Sequence, residues 1–125
     1  MPKVLIVDDD QDIRQLLNVR LRRQGYETAF ATDAITAVSV ARREAPDVIV
    51  LDLGLPGGEG YVVMERLRAL ASVGAVPVVV VSGRDAATNR ERSLLAGADA
   101  FVPKPIDMDA LTTAIRDALG EGSTG

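Results

Sequence analysis

The 125-residue chain contains no cysteine, no histidine and no tryptophan, and each absence closes a route to function. Without cysteine there can be no disulfide framework, thiol nucleophile or thiolate metal site. Without histidine the usual general base and transition-metal ligand is missing, so a metal would have to be held by oxygen, and oxygen donors select hard cations. Two tyrosines and two phenylalanines are the only aromatics, so the core must come from Val, Leu, Ile and Ala, which suits helices packed on a buried sheet. Long apolar runs are also lacking. Val4–Val7 leads straight into acidic residues, which is neither a secretory leader nor a membrane span. A cytoplasmic protein without membrane association is therefore expected. The net charge is −4 with no basic cluster, so direct nucleic-acid binding by this domain has no electrostatic footprint.

The length suits one folded domain. Residues 1–120 read as that domain, and the small, polar residues 121–125 as a flexible tail or linker stub. Strands are expected at Val4–Val7, Tyr26–Ala31, Val48–Leu51 and Val76–Val81, with a weaker fifth at Ala100–Val102. The first, third and fourth are continuously apolar, the pattern of parallel strands covered on both faces; Tyr26–Ala31 mixes polar and apolar residues and reads as an edge. Helical spacing links Ile13, Leu16, Leu17 and Leu21, with Arg14, Arg20 and Arg22 on the opposite face and Gly25 as the stop. Ile35, Val38 and Ala41 form a second stripe behind the expected cap Asp33, and Val63, Met64, Leu67 and Leu70 a third. Met108, Leu111, Ile115 and Leu119 form the last, between Asp107 and Gly120. Residues 84–97 predict a weakly packed helix that only Leu94 and Leu95 could anchor, a candidate moving part.

Five alternations of strand and helix predict a three-layer, doubly wound (βα)5 α/β sandwich, a parallel five-stranded sheet of flavodoxin-like order 2-1-3-4-5. In such a sheet ligands bind beyond the carboxyl ends of the strands, where strand order reverses. Asp8, Asp9 and Asp10 follow the first strand and Asp52 ends the third, so carboxylates should converge there. Two like charges ~4 Å apart repel by roughly 4 kcal/mol at an effective dielectric of ~20, and a cation would relieve this. An all-oxygen set with room for water suits Mg²⁺; helix capping accounts for Asp10 or Gln11 but not for three successive acids. Ser82 ends the fourth strand and Lys104 follows the fifth. Cation, hydroxyl and ammonium together are what three phosphoryl oxygens require.

Val-Asp-Asp-Asp, Asp-Leu-Gly-Leu-Pro-Gly-Gly-Glu-Gly, Val-Ser-Gly and Val-Pro-Lys-Pro, after the first, third, fourth and fifth strands, resemble the response-regulator receiver domains of two-component phosphotransfer over essentially the whole chain. The resemblance implies a signalling switch rather than an enzyme proper, one that assists its own phosphorylation and dephosphorylation. Asp52 would accept a phosphoryl group from a phosphohistidine of a sensor histidine kinase or phosphotransfer protein. Asp9 would bind Mg²⁺ directly, Asp8 largely through water, and Asp52 and the Gly54 backbone carbonyl would complete the ligands, with Mn²⁺ as a substitute. Lys104 would pair with Asp52 and then with the phosphoryl group, Ser82 would turn toward it, and Phe101 matches the aromatic whose rotamer reports the change. Lys104–Pro105 is a candidate cis bond, against a base rate of about 5–6% for X-Pro. A downstream effector or output domain would read the face formed by the fourth helix, fifth strand and fifth helix, and homodimerisation through phosphorylation is a further expectation. Gly54 and Arg84 occupy positions that influence acyl-phosphate lifetime in the family, and Gly54 has no side chain to do so.

Three other readings share the architecture. A flavin binder would need a phosphate loop where Asp8–Asp10 would repel phosphate. A phosphohydrolase of the haloacid-dehalogenase class would need a second aspartate at Gly54 and a cap domain. A receiver-like docking platform without chemistry would not need the full acidic, hydroxyl and lysine set.

Overall fold

Five short runs of apolar residues form the sheet: Lys3–Val7 (β1), Glu27–Ala31 (β2), Val48–Asp52 (β3), Val78–Ser82 (β4) and Ala100–Pro103 (β5). The computed structural model describes residues 1–55, 60–83 and 86–120; the expected tail at 121–125 and the helix start at Arg84 lie outside them. All pairings are parallel and the order is β2-β1-β3-β4-β5. Five helices alternate with the strands: Gln11–Arg23 (α1), Ala34–Glu44 (α2), Gly60–Ala69 (α3), Ala86–Leu95 (α4) and Met108–Ala118 (α5). The expected doubly wound α/β fold is therefore the fold observed, with β2 and β5 at the edges.

Period-2 alternation divides the central strands between two cores. Leu5, Val7, Ile49, Leu51, Val78, Val80 and Phe101 face α2 and α3. Val4, Ile6, Val48, Val50, Val79 and Val81 face Leu17 and Leu21 of α1 and Leu111 and Ile115 of α5. Because β1, β3 and β4 are covered on both sides, nearly every residue in them is buried, as their unbroken apolar runs require. β4 begins after Pro77 rather than at Val76; the chain enters the ladder only where residues can donate to it.

Helix boundaries follow local chemistry. Asp10, Asp33 and Asp107 each cap a helix, accepting from backbone N–H groups inside the first turn. Gly25 and Gly120 follow α1 and α5 with φ of 93° and 77°, the left-handed region open to glycine. As a test, Asp107→Ala removes the acceptor for Asp109 and Ala110 N–H and should lower stability by about 1 kcal/mol, read as a shift in urea midpoint at unchanged slope.

Three apolar expectations are corrected. Leu16 is 47% exposed and Ile35 71%; the buried faces of their helices are carried by Leu17 and Leu21, and by Ala34, Ala37, Val40 and Ala41. Leu94 and Leu95 do not anchor α4; they are 44% and 83% exposed. Among the described side chains of α4, Ser93 is the buried one, its hydroxyl donating to the Arg90 carbonyl at 3.2 Å.

Candidate functional site

Register builds the site. Val7 pairs with Leu51, so the next residues, Asp8 and Asp52, leave adjacent strands side by side. Ser82 pairs with Pro103, and the Lys104 N–H donates to the Ser82 carbonyl at 2.9 Å, which brings the lysine stem over the same end of the sheet. Each side chain is thus placed by the last ladder hydrogen bonds of a buried strand rather than by a free loop.

The result is a compact charged cluster. Ligand oxygens of Asp8, Asp9 and Asp52 lie within 4.8 Å of one another, with Asp8 and Asp52 buried and Asp9 exposed. Lys104 Nζ lies 3.3 Å from Asp8 Oδ2 and 3.4 Å from Asp52 Oδ2. One ammonium faces three carboxylates, an imbalance a divalent cation would correct, and the donors are all oxygen; the residues fit Mg²⁺. Asp52 is oriented by its own loop, as the Gly54 N–H donates to Asp52 Oδ1 at 3.0 Å. Asp8 is fixed similarly by the Asp10 N–H at 2.9 Å.

Electrostatics record the crowding. Burial pushes the Asp8 carboxyl above the ordinary carboxylate range and the Asp52 charge adds to it, outweighing the Asp10 N–H and Lys104. For Lys104, burial pulls the ammonium down, yet the Asp52 and Asp8 charges prevail and hold it above its usual value. Lys104 therefore remains protonated and serves as a fixed cation.

The structure brings together Asp8, Asp9, Asp52, Ser82, Gly54 and Lys104 around one strand-end crevice. Ser82 is buried at the end of β4, and Gly54 is placed where an added Cβ would stand 3.7 Å from Asp52 Oδ1. A side chain there would therefore lie against the Asp52 carboxylate. Phe101 is buried in the core on the α3 side, with the Arg90 guanidinium 5.3 Å from its ring centre. The Lys104–Pro105 bond is cis.

Sequence reasoning missed three contributors. Arg14, assigned to the outer face of α1, is half-buried and donates from Nη1 to the Asp8 carbonyl at 3.0 Å. Gly83 lies beside Lys104, where an added Cβ would stand in ordinary contact with Lys104 Cβ at 3.6 Å. Gly60 is packed on the backbone of Asp52 and Leu53. A glycine directly after Ser82 was legible as a turn, but its contact with the lysine stem needs the fifth strand in place.

Comparison with known proteins agrees with the geometry. The response regulator receiver domain family matches residues 4–116. Among curated relatives, the transcriptional regulatory protein PrrA of Mycobacterium tuberculosis is 40% identical over 124 residues, which are 98% of this chain and 52% of that protein. Response regulator MprA of Mycobacterium leprae is 35% identical over 94% of this chain and 50% of its own length. The chain thus spans about half the length of the curated relatives it matches. Among solved structures, a response regulator from Chloroflexus aurantiacus superposes with a TM-score of 0.90 at 27% identity, covering 95% of this chain and 98% of that one. The receiver domain of a sensor histidine kinase from Pseudomonas aeruginosa, with a magnesium ion coordinated in its active-site cleft, gives 0.86 at 28% identity over 95% and 98%. Among the described residues no helix is long and apolar enough to cross a membrane. By its strand-end crevice and by this match across nearly its whole length, the chain belongs to the response regulator receiver domains of two-component systems.

Proposed function

We propose that Asp52 is the phosphoacceptor of a Mg²⁺-dependent switch formed by residues 1–120. The observation that carries this reading is the meeting of three carboxylates and one ammonium at the ends of β1, β3 and β5. Asp8, Asp9, Asp52 and the Gly54 carbonyl would hold Mg²⁺ (or Mn²⁺), which when bound offsets the carboxylate charge and draws phosphoryl oxygens toward the acceptor. The Gly54 N–H holds Asp52 Oδ1, leaving Oδ2, beside Lys104, to attack phosphorus. A new O–P bond forms as the P–N bond of a donor phosphohistidine breaks, and the imidazole leaves with the bonding pair. Lys104 would neutralise one phosphoryl oxygen and the Ser82 hydroxyl would donate to another. Later attack by water breaks the acyl phosphate and resets the switch.

Phosphorylation adds charge where Lys104 already balances two carboxylates, so Lys104 and Ser82 would be drawn toward the phosphoryl group, while Phe101, already buried, would hold its inward position. An effector or an output domain would read the α4-β5-α5 face, where Leu94 and Leu95 are exposed, and a second copy of the chain could meet the same surface. The donor would be a sensor histidine kinase or phosphotransfer protein, and the setting cytoplasmic.

Incubation with acetyl phosphate should add one phosphoryl mass, mapped to the peptide containing Asp52, with Mg²⁺ and not with EDTA. Labelling that survives EDTA, or maps elsewhere, refutes the assignment. Asp9→Asn should weaken Mg²⁺ binding at least about tenfold by calorimetry, since a charge ~4 Å from a divalent cation counts for several kcal/mol before solvation offsets it.

A further inference from the structure

α4 is held to the domain in an unusual way. Among its described side chains only Ser93 is buried, while its two leucines point outward. Its contacts to the rest of the molecule include an interlock with Tyr61, the second residue of α3. The Tyr61 hydroxyl donates to Asn89 Oδ1 at 2.7 Å, and the Arg92 guanidinium carbon lies 3.8 Å from the centre of the same ring. One phenol therefore engages two residues three apart on α4, the spacing that puts them on one helix face. Tyr61 is half-buried, with its ring packed against the core beneath α2 and α3, so it is a rooted post rather than a free surface side chain.

The other end of that post is tied to the acceptor. Gly60, immediately before Tyr61, donates its N–H to the Leu53 carbonyl at 2.9 Å. A Cβ on Gly60 would stand 2.6 Å from Leu53 Cα and 3.0 Å from the Asp52 carbonyl oxygen. The first turn of α3 thus rests directly on the main chain of the acceptor residue. Any shift of the Asp52–Leu53 backbone is transmitted to Tyr61 over one peptide unit, and from Tyr61 to α4 through a hydrogen bond and a cation–π contact.

We propose that Tyr61 is a latch that couples the Asp52 segment to α4, a route through α3 in addition to the one through Ser82 and Phe101. The coupling rests on the phosphoacceptor reading; the latch itself does not. It makes Tyr61 a positioning residue, one whose substitution alters α4 without touching the carboxylate cluster.

The test is hydrogen exchange of the amides at 90–95 in the wild type, Tyr61→Phe, Tyr61→Leu and Arg92→Gln, with and without beryllofluoride and Mg²⁺ as a phosphoryl mimic. Without the mimic, Tyr61→Phe should speed α4 exchange about fivefold, the worth of one net hydrogen bond, and Tyr61→Leu about thirtyfold as the stack is lost too. Amides of β1 and β3 should keep their wild-type rates. Arg92→Gln, far from the core, covers the case in which Tyr61→Leu disturbs packing, and should itself speed α4 about fivefold. With the mimic, α4 exchange should change in the wild type and much less in Tyr61→Leu, although both bind it. Unchanged α4 rates in Tyr61→Phe and Arg92→Gln, or an equal response to the mimic in wild type and Tyr61→Leu, overturn the latch. Failure of the wild type to bind the mimic overturns the phosphoacceptor reading and the coupling with it, while the mimic-free rates still decide whether Tyr61 holds α4.

Discussion

Asp52→Asn should fold, take up no phosphoryl group from acetyl phosphate with Mg²⁺, and in EDTA be more stable than the wild type by about 1 kcal/mol. The loss of labelling follows from chemistry: an amide oxygen is no nucleophile toward phosphorus at neutral pH, whereas a carboxylate is. The gain in stability follows from geometry. Without a divalent cation the wild type crowds three carboxylates within 4.8 Å against one ammonium, and like charges at that range repel by several kcal/mol at an effective dielectric of ~20 before screening by solvent. Burial is the main reason the Asp8 carboxyl is raised, and the Asp52 charge adds to it. A group whose folded pKa exceeds its unfolded one favours folding below the unfolded pKa, and that benefit is lost as pH rises through the folded pKa, so the strain grows as pH rises through that range. The asparagine keeps an oxygen for the Gly54 N–H and leaves Lys104 paired with Asp8, so no buried charge is orphaned. Added Mg²⁺ should reverse the order, because ligand binding stabilises the wild type by mass action and the variant lacks a ligand. Urea melts with EDTA and with Mg²⁺ measure both halves. A variant less stable in EDTA, or stabilised by Mg²⁺ as much as the wild type, would remove Asp52 from the cation-binding set.

The sheet and the site were legible in the sequence for one reason. Buried parallel strands are continuous apolar runs, and the first hydrophilic residue after such a run marks the end of the sheet where ligands bind. Asp8, Asp52 and Ser82 could therefore be placed at one rim before any coordinates, and strand order then brought Lys104 beside them. The helices were less transparent. A stripe at i, i+3 and i+4 tells which face is apolar but not which of its residues a neighbouring element covers, so Leu16 and Ile35 belonged to their stripes and still reached solvent. α4 was rightly read as poorly packed, but its two leucines were the wrong anchors; the helix instead buries Ser93, sets Arg90 over Phe101 of β5 and engages Tyr61 of α3 through Asn89 and Arg92. Arg14, Gly60 and Tyr61 stayed hidden for a common reason. Each acts on a partner set by tertiary approach, the Asp8 carbonyl, the Leu53 main chain and Asn89, and no local periodicity encodes such a meeting.

Gly60→Ala separates local propensity from tertiary fit. Gly60 opens α3, and alanine is favoured over glycine in a helix by up to about 1 kcal/mol, so propensity alone predicts a more stable protein. The structure predicts the opposite. The new methyl would stand 2.6 Å from Leu53 Cα and 3.0 Å from both the Asp52 carbonyl oxygen and Leu53 Cδ2. Two of these three atoms are main chain and cannot rotate away. Either α3 lifts, breaking the 2.9 Å bond from Gly60 N–H to the Leu53 carbonyl, or the segment after β3 is pushed toward the crevice; overpacking of this kind costs typically 1–3 kcal/mol. Net destabilisation of about 2 kcal/mol is expected in urea. Because the displaced atoms belong to Asp52 and Leu53, Mg²⁺-dependent labelling of the folded fraction should also fall, by about tenfold for a displacement under 1 Å at the acceptor. A stabilised Gly60→Ala protein with undiminished labelling would mean that the first turn of α3 is free of the Asp52 segment, and the path from Asp52 to Tyr61 would lose its first link.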